Sequence, residues 1–440
     1  MSKKNITSRG GRFMKLAGMT ATVAGRYASQ RAKSVFSTEE RTDKLKRETY
    51  TKMADDIVDT LGELKGAVMK IGQIASQTQD LLPKEFSDAL QKLQKEAPPI
   101  EFSQIRKQIE DEFGKKLEEL FQSFDKTPYA SASIGQVHRA VTNDGEQVVV
   151  KVQYPGVDRS CDSDLKQLRL TLKLGGLIKM PKASVDGLFD EIKARLHEEL
   201  DYENEAENLQ RFREFHKDDN KVIIPEVINH LSSRHVLTLE FVPGDHIEDL
   251  VKENYPQETI NELGYQLFKL LAEQLFVFKQ IHGDPHPGNF AFRKDGSVIV
   301  YDFGCVKTLK SDIVDAYKDA ISSGLDENYE RLDEALIRLG ARIQNKPSPG
   351  GDYYQVWRNI FFQPFLDQNE YNFKQAQLHI EAAKQTPLLF KHLSLFKPPV
   401  DSLYIDRMIS GQYWIMKSMG VSASFRTQLQ AFLSVEDVLS

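Results

Sequence analysis

The spacing of apolar residues changes twice along this 440-residue chain. From Asp55 to Leu82, Ile57, Leu61, Leu64, Val68, Ile71 and Ala75 recur at steps of three and four, which predicts one helix with a single apolar face. A second helical pattern covers Ser103–Phe124, after the break at Pro98-Pro99. At Pro128 the pattern changes. Val137–Val141 and Gln147–Gln153 are short β-branched runs joined by Asn143-Asp144-Gly145, a hairpin turn signal. Helical stretches follow at Ser160–Lys179 and Ser184–His216. Ile223–Val227 and His235–Val242 read as strands, the second stopped by Pro243-Gly244. The remainder is mostly helical. It holds one more hairpin within 289–304, turning at Asp295-Gly296, and a loop at 345–352. The sum is an α+β chain: a helical N-terminal region, a small sheet with helices, and a large helical region. The expected divisions are a basic segment 1–50, partly mobile, a helical segment 51–126, a sheet-bearing region 127–242 and a helical region 243–440.

Composition adds three constraints. Hydrophobic residues make up 40% and charged residues 28%, as in a globular protein. Cys161 and Cys305 are the only cysteines, so a disulfide framework is not expected and a reducing compartment is. The net charge is −6, yet the first 38 residues carry eight Lys/Arg and no acid, which leaves −14 on the rest. A basic segment on an acidic body fits a solvated helix, a helix lying on an anionic membrane, or an organelle transit segment. Its apolar run, Phe13–Val23, is interrupted by Lys15 and too short to span a bilayer, and no transmembrane helix is expected elsewhere.

The candidate chemistry lies mainly in "IHGDPHPGNF", residues 281–290, and "YDFG", residues 301–304. Asp284 and Asn289 are five apart, and Asp302 follows thirteen residues later across the hairpin. Phosphoryl transfer from ATP needs Mg²⁺ held by oxygen ligands, here Asn289 and Asp302, and a carboxylate near the acceptor, here Asp284. D-x-x-x-x-N, a hairpin and D-F-G together form one half of a kinase site. The other half needs a lysine for the α/β-phosphates, paired with a helix glutamate. "VVVKVQ" supplies Lys151, and Glu198, Glu199, Asp201, Glu203, Glu205 and Glu207 all compete as its partner. A phosphate-covering loop is expected before the first strand. It reads "YASASIGQVH", with Ala130, Ser131, Ala132 and Ser133 where glycines would lie, followed by Gly135 and Gln136. Glu240 and Val242, at the end of the second strand pair, complete the nucleotide-binding candidates. His282 and His286 flank Asp284 and read as loop packing rather than a chelate. Cys305 reads as a small buried residue.

"GAVMKIGQIASQ", residues 66–77, places Gly66, Lys70, Gln73 and Gln77 on the helix side opposite the Ile57–Leu64–Ile71 stripe. With "KIGQ", "ASASIGQVH", "VVVKVQYPGV", "ELDYENEA", "HGDPHPGN" and "DFG", the sequence resembles the AarF/UbiB/ADCK atypical kinases, linked to ubiquinone biosynthesis. The resemblance implies a protein-kinase-like bilobal fold, with a small antiparallel sheet in one lobe, a helical second lobe, and a helical extension covering the active site. It makes Glu205 the partner of Lys151, and Glu199 and Asp201 the E-x-D pair that meets Lys70 and Gln73 of K-x-G-Q. The alanine-rich loop is a feature of the same family. Catalysis is then expected from Asp284, Lys151, Glu205 and Lys70.

The function this implies is an ATP- and Mg²⁺-dependent kinase or ATPase that supports isoprenoid quinone synthesis. The substrate would be a lipid-like small molecule rather than a protein. An anionic membrane surface and a quinone-biosynthesis complex are the expected partners, and nucleic acid is not. Peripheral attachment on the cytoplasmic side or at the mitochondrial matrix face follows. An aminoglycoside/choline-type small-molecule kinase and a non-catalytic nucleotide-binding scaffold are the alternatives. The first should lack K-x-G-Q; the presence of all the metal and phosphate residues counts against the second, which tight nucleotide binding without turnover would support.

Overall fold

The computed structural model describes residues 9–34, 39–64, 88, 99–132, 134–177, 182–366, 369–397 and 402–434. Lys70, Gln73 and Ser133 lie outside the described residues, as does the expected helix beyond Leu64. The chain forms two compact units: residues 1–207 with 227–241, and residues 208–226 with 242–440.

The first unit begins with two 26-residue helices, α1 (Arg9–Ser34) and α2 (Glu39–Leu64). They pack with α5 (Val157–Leu174) and α6 (Lys182–Glu199) around Leu16, Met19, Val23, Met53, Ile57, Leu61, Leu165, Leu168 and Leu196. Within the expected basic segment 1–50, residues 9–34 and 39–50 are helical and packed. The apolar stripe of α1 is spent on this core, and Arg12 is buried in an ion pair with Asp164. Phe13 and Met14 are the large apolar side chains that α1 leaves exposed.

A sheet of five strands forms the rest of the unit: β1 (Phe121–Phe124), β2 (Ala130–Ser131), β3 (Gly135–Thr142), β4 (Gln147–Gln153) and β6 (Val236–Glu240). All pairings are antiparallel, in the order β1-β3-β4-β6 with β2 on β3. The expected helix Ser103–Phe124 is shorter than its pattern. Helix α3 (Phe102–Phe113) ends at Gly114, whose φ of 64° closes it with a bond to Glu110 O. The single turn α4 (Leu117–Leu120) then leads into β1. Side chains alternate along β4, so Val148, Val150 and Val152 pack on Ile105 and Ile109 of α3 and Lys151 points to the other face.

The expected helix 184–216 is two. Asp201 Oδ1 accepts from Asn204 N–H at 3.0 Å, an N-cap that starts α7 (Tyr202–Phe215) afresh after α6. The expected strand Ile223–Val227 keeps only β5 (Val222–Ile223), because Pro225 has no N–H to give a ladder; Val227 makes a lone bridge to Leu239.

In the second unit β5 pairs in parallel with β9 (Val298–Val300), which pairs antiparallel with β8 (Phe290–Phe292). A two-stranded ribbon joins β7 (Gln280–His282) to β10 (Val306–Thr308). Helix α8 (Ile247–Lys252) precedes the long α9 (Gln257–Phe276), whose Leu263, Leu267, Leu270 and Leu275 are buried. Around it lie α10 (Ser311–Leu325), α11 (Tyr329–Arg338), α12 (Gly351–Phe361), α13 (Leu378–Lys384), α14 (Thr386–His392), α15 (Leu403–Met419) and α16 (Arg426–Leu433). Among the described residues no helix is long and apolar enough to cross a membrane.

His216, just after α7, is buried beside Glu273, with Nδ1 3.6 Å from Oε2. Asp219 completes the cluster, and the Lys269 ammonium lies 2.7 Å from Asp219 Oδ2, so a cation is already in place. Burial pushes the His216 pKa down to about 4, against the pull of Asp219. An unfolded histidine takes its proton near pH 6.5. The native state therefore loses stability as pH falls from about 6.5 to about 4. Burial holds the neighbouring Glu273 carboxyl above its ordinary value, which acts in the opposite sense. Comparison with His216→Asn isolates the histidine. The stability advantage of wild type over that variant should shrink by about 2–3 kcal/mol between pH 7 and pH 4.5 in urea unfolding. A constant difference would refute this.

Candidate active site

In the first unit, Lys151 Nζ lies 2.8 Å from both carboxylate oxygens of Glu205. The Glu205 side chain is 1% exposed and that of Lys151 16%. The Tyr202 ring sits 4.9 Å from the ammonium, one helical turn before Glu205. Of the six acids that competed for Lys151, the fold brings Glu205 to it. Asp201 caps α7 instead, and Glu199 is the last residue of α6.

Of the alanine-rich segment, residues 130–132 fold back on β3. Ala130 and Ser131 pair with Val137 and Gln136, and Ala132 N–H bonds Gly135 O at 3.0 Å. Gly135 belongs to β3, and its role is close approach. A Cβ there would stand 2.3 Å from Val152 O and 3.2 Å from Tyr202 Oη. Gln136, the next residue of β3, faces inward. It is fully buried, its Oε1 accepting from Ile100 N–H and its Nε2 3.2 Å from the His138 ring. Glu240 ends β6 opposite Val148. Val242, in the second unit, is buried, and its carbonyl accepts from the Tyr301 hydroxyl at 2.8 Å.

The second unit assembles the Asp/Asn/Asp set. The pairing of β7 with β10 puts Gly283 N–H 2.7 Å from Cys305 O, which ties the start of the 283–289 loop to the residue after D-F-G. Asn289 Nδ2 donates to Asp284 O and Oδ2, both at 3.1 Å. With that nitrogen committed, the amide oxygen is what Asn289 can offer a cation. The β8–β9 hairpin returns the chain so that Tyr301 N–H meets Asn289 O at 3.0 Å, and Asp302 is the next residue. Asp302 Oδ1 accepts from Gly304 N–H at 3.0 Å. An amide oxygen and a carboxylate are hard donors of the kind Mg²⁺ takes, so the donor set fits that ion.

His282 and His286 serve the loop. The His286 Nδ1 accepts from Gly288 N–H at 3.1 Å. The buried His282 packs against Phe290 and Phe303, and burial holds its pKa down although Asp284 and Asp302 oppose this. Its backbone N–H donates to Gln274 of α9. Phe303 is fully buried on Phe212, and Asn208 of α7 donates to its carbonyl at 3.0 Å. Asn208 and Gln274 carry no motif: Asn208 is one of several polar residues on α7, and Gln274 offered only its polar character among the leucines of α9. Cys161 is buried, which pushes its thiol up to about 12. Cys305 is half-buried against Gly283 rather than fully enclosed.

Residues 92–336 match the ABC1 atypical kinase-like domain. The chain is 32% identical over 378 residues to the Caenorhabditis elegans "Atypical kinase coq-8, mitochondrial", a match that covers 84% of this chain and 49% of that one. It is 30% identical over 387 residues to the Dictyostelium discoideum "Probable serine/threonine-protein kinase abkA", covering 83% and 68%. The match thus spans about half of the nematode relative's length. A solved structure, a complex of Rv3197 with erythromycin from Mycobacterium tuberculosis, superposes with a TM-score of 0.62 at 27% identity, over 89% of this chain and 98% of that one. The α+β, kinase-like architecture expected from the motifs is therefore the one found. A lysine–glutamate pair, a D-x-x-x-x-N loop and a D-F-G aspartate, carried on a chain that matches that domain over more than half its length, place this protein in the ABC1 atypical kinase-like family.

Proposed function

We propose that the chain is a Mg-ATP-dependent ATPase or phosphotransferase that acts on a lipid-like small molecule, a polyprenyl quinone precursor in the service of ubiquinone synthesis. The observation that carries this reading is the two-pronged Lys151–Glu205 bond. It holds an ammonium rigidly on a sheet, as the grip on the α/β-phosphates requires. Asn289 and Asp302 would hold Mg²⁺, which when bound would supply positive charge against the charge developing on the phosphates. Asp284 orients the acceptor hydroxyl or water and takes its proton as the new O–P bond forms and the bond to the β-phosphate oxygen breaks. Water as acceptor yields ADP and phosphate.

Membrane contact is peripheral, through the basic α1 with its exposed Phe13 and Met14, on the cytoplasmic side or at the mitochondrial matrix face. The test is phosphate release from ATP by the full chain, with Mg²⁺ or with EDTA. Phosphatidylcholine vesicles with and without phosphatidylglycerol form the second arm. Turnover should require Mg²⁺ and rise severalfold with the anionic lipid. Tight nucleotide binding without turnover in every arm would replace this reading with that of a scaffold.

A further inference from the structure

Helix α15 (Leu403–Met419) lies beyond the matched domain, which ends at residue 336, yet one of its faces meets the 283–289 loop. Three residues at helical spacing make that contact. The Tyr404 ring stands against Gly283, where a Cβ would be 3.3 Å from its Cδ1. Arg407 Nη2 is 3.9 Å from Asp284 Oδ1. Gly411 lies under Pro285, and a Cβ there would stand 2.1 Å from the proline Cβ. Positions 404, 407 and 411 share one stripe, so the helix follows the loop residue by residue. Its first turn is pinned in turn, because Asp406 accepts from Tyr317 of α10 and from Ser402 Oγ. Lys307 Nζ rests 5.0 Å from the Tyr404 ring.

We infer that α15 is the clamp of the catalytic loop and that Arg407 is a positioning residue for Asp284. The two oxygens of that carboxylate face different partners: Oδ2 accepts from Asn289 Nδ2 at 3.1 Å, and Oδ1 faces the guanidinium. A carboxylate approached on both oxygens has one orientation, and an acceptor approaches it in one geometry. Gly411 is where this arrangement is most sensitive, since only a residue without Cβ lets the helix come this close to Pro285.

The inference rests on Asp284 as the reacting carboxylate, so Asp284→Asn is assayed beside Arg407→Ala, Arg407→Lys and Gly411→Ala. Arg407→Ala should lower kcat for ATP turnover by ~10–100-fold, with KM for ATP changed less than ~3-fold. Arg407→Lys, or methylguanidinium added to the alanine variant, should restore part of the loss. Gly411→Ala should lower kcat with Arg407 intact. It should also speed amide hydrogen exchange across 283–289, which does not depend on turnover. If Asp284→Asn abolishes turnover while Arg407→Ala leaves kcat within ~2-fold and exchange unchanged, Arg407 does not position the loop. If Asp284→Asn has no effect, the function reading itself fails. Exchange across 283–289 then still decides the clamp, since unchanged protection in Gly411→Ala overturns it.

Discussion

Asp302→Asn is expected to lower Mg-ATP turnover by at least ~100-fold, on the order of 3 kcal/mol in activation free energy. The substitution is close to isosteric. An asparagine Oδ1 can still accept the Gly304 N–H that Asp302 receives at 3.0 Å, so the turn after the β9 strand should persist. What is lost is the formal charge that would, on the proposed reading, hold Mg²⁺ against the phosphates, and an amide oxygen replaces it poorly. The melting temperature without nucleotide should stay within a few degrees of wild type. The stabilisation that Mg-ATP confers should shrink, because a ligand stabilises the fold only in proportion to its binding. Phosphate release at saturating Mg²⁺, read beside nucleotide-dependent thermal shifts, checks both. Turnover indifferent to the change would mean that the metal is not held here.

Much of this site could be read before any coordinates. The spacing of Asp284, Asn289 and Asp302 needed only a hairpin between them, and Asp295-Gly296 announced it; Gly296 has a φ of 82°, as such a turn demands. Strand β4 is legible for the same local reason, because alternation put Val148, Val150 and Val152 together and left Lys151 opposite. Spacing alone did not select the partner of Lys151; the family resemblance named Glu205, and the fold shows why. Six acids followed within ten residues, and only the Asp201 cap fixes where α7 begins and hence which of its faces carries Glu205. Helix α1 shows the same limit on a larger scale. Its charge invited a surface reading, while its apolar stripe found a partner in α5, about 140 residues away. Arg407 lies 123 positions after Asp284, on a helix whose sequence looks ordinary. No local periodicity encodes a contact of that kind, which exists only after the chain has packed.

Lys151→Met is the other change expected to act strongly, and it acts on the fold as well as the chemistry. It removes the cation from a glutamate whose side chain is 1% exposed, and a buried carboxylate deprived of such a partner typically costs 3–5 kcal/mol. In a unit of this size that corresponds to a fall of roughly 10 °C in its unfolding transition. Glu205→Gln should cost less, because the Lys151 side chain is 16% exposed and can turn its ammonium toward water, and glutamine keeps a hydrogen-bond acceptor. The double variant Lys151→Met/Glu205→Gln buries no unmatched charge and should regain most of the stability. Its turnover should stay as low as that of the single lysine variant. Thermal unfolding and phosphate release across this cycle therefore separate two roles of one bond. Stability should follow charge balance, and activity should follow the ammonium. Were the double variant no more stable than Lys151→Met, the strength of the pair would lie in shape rather than charge. Were it active, Lys151 would not be the residue that grips the phosphates.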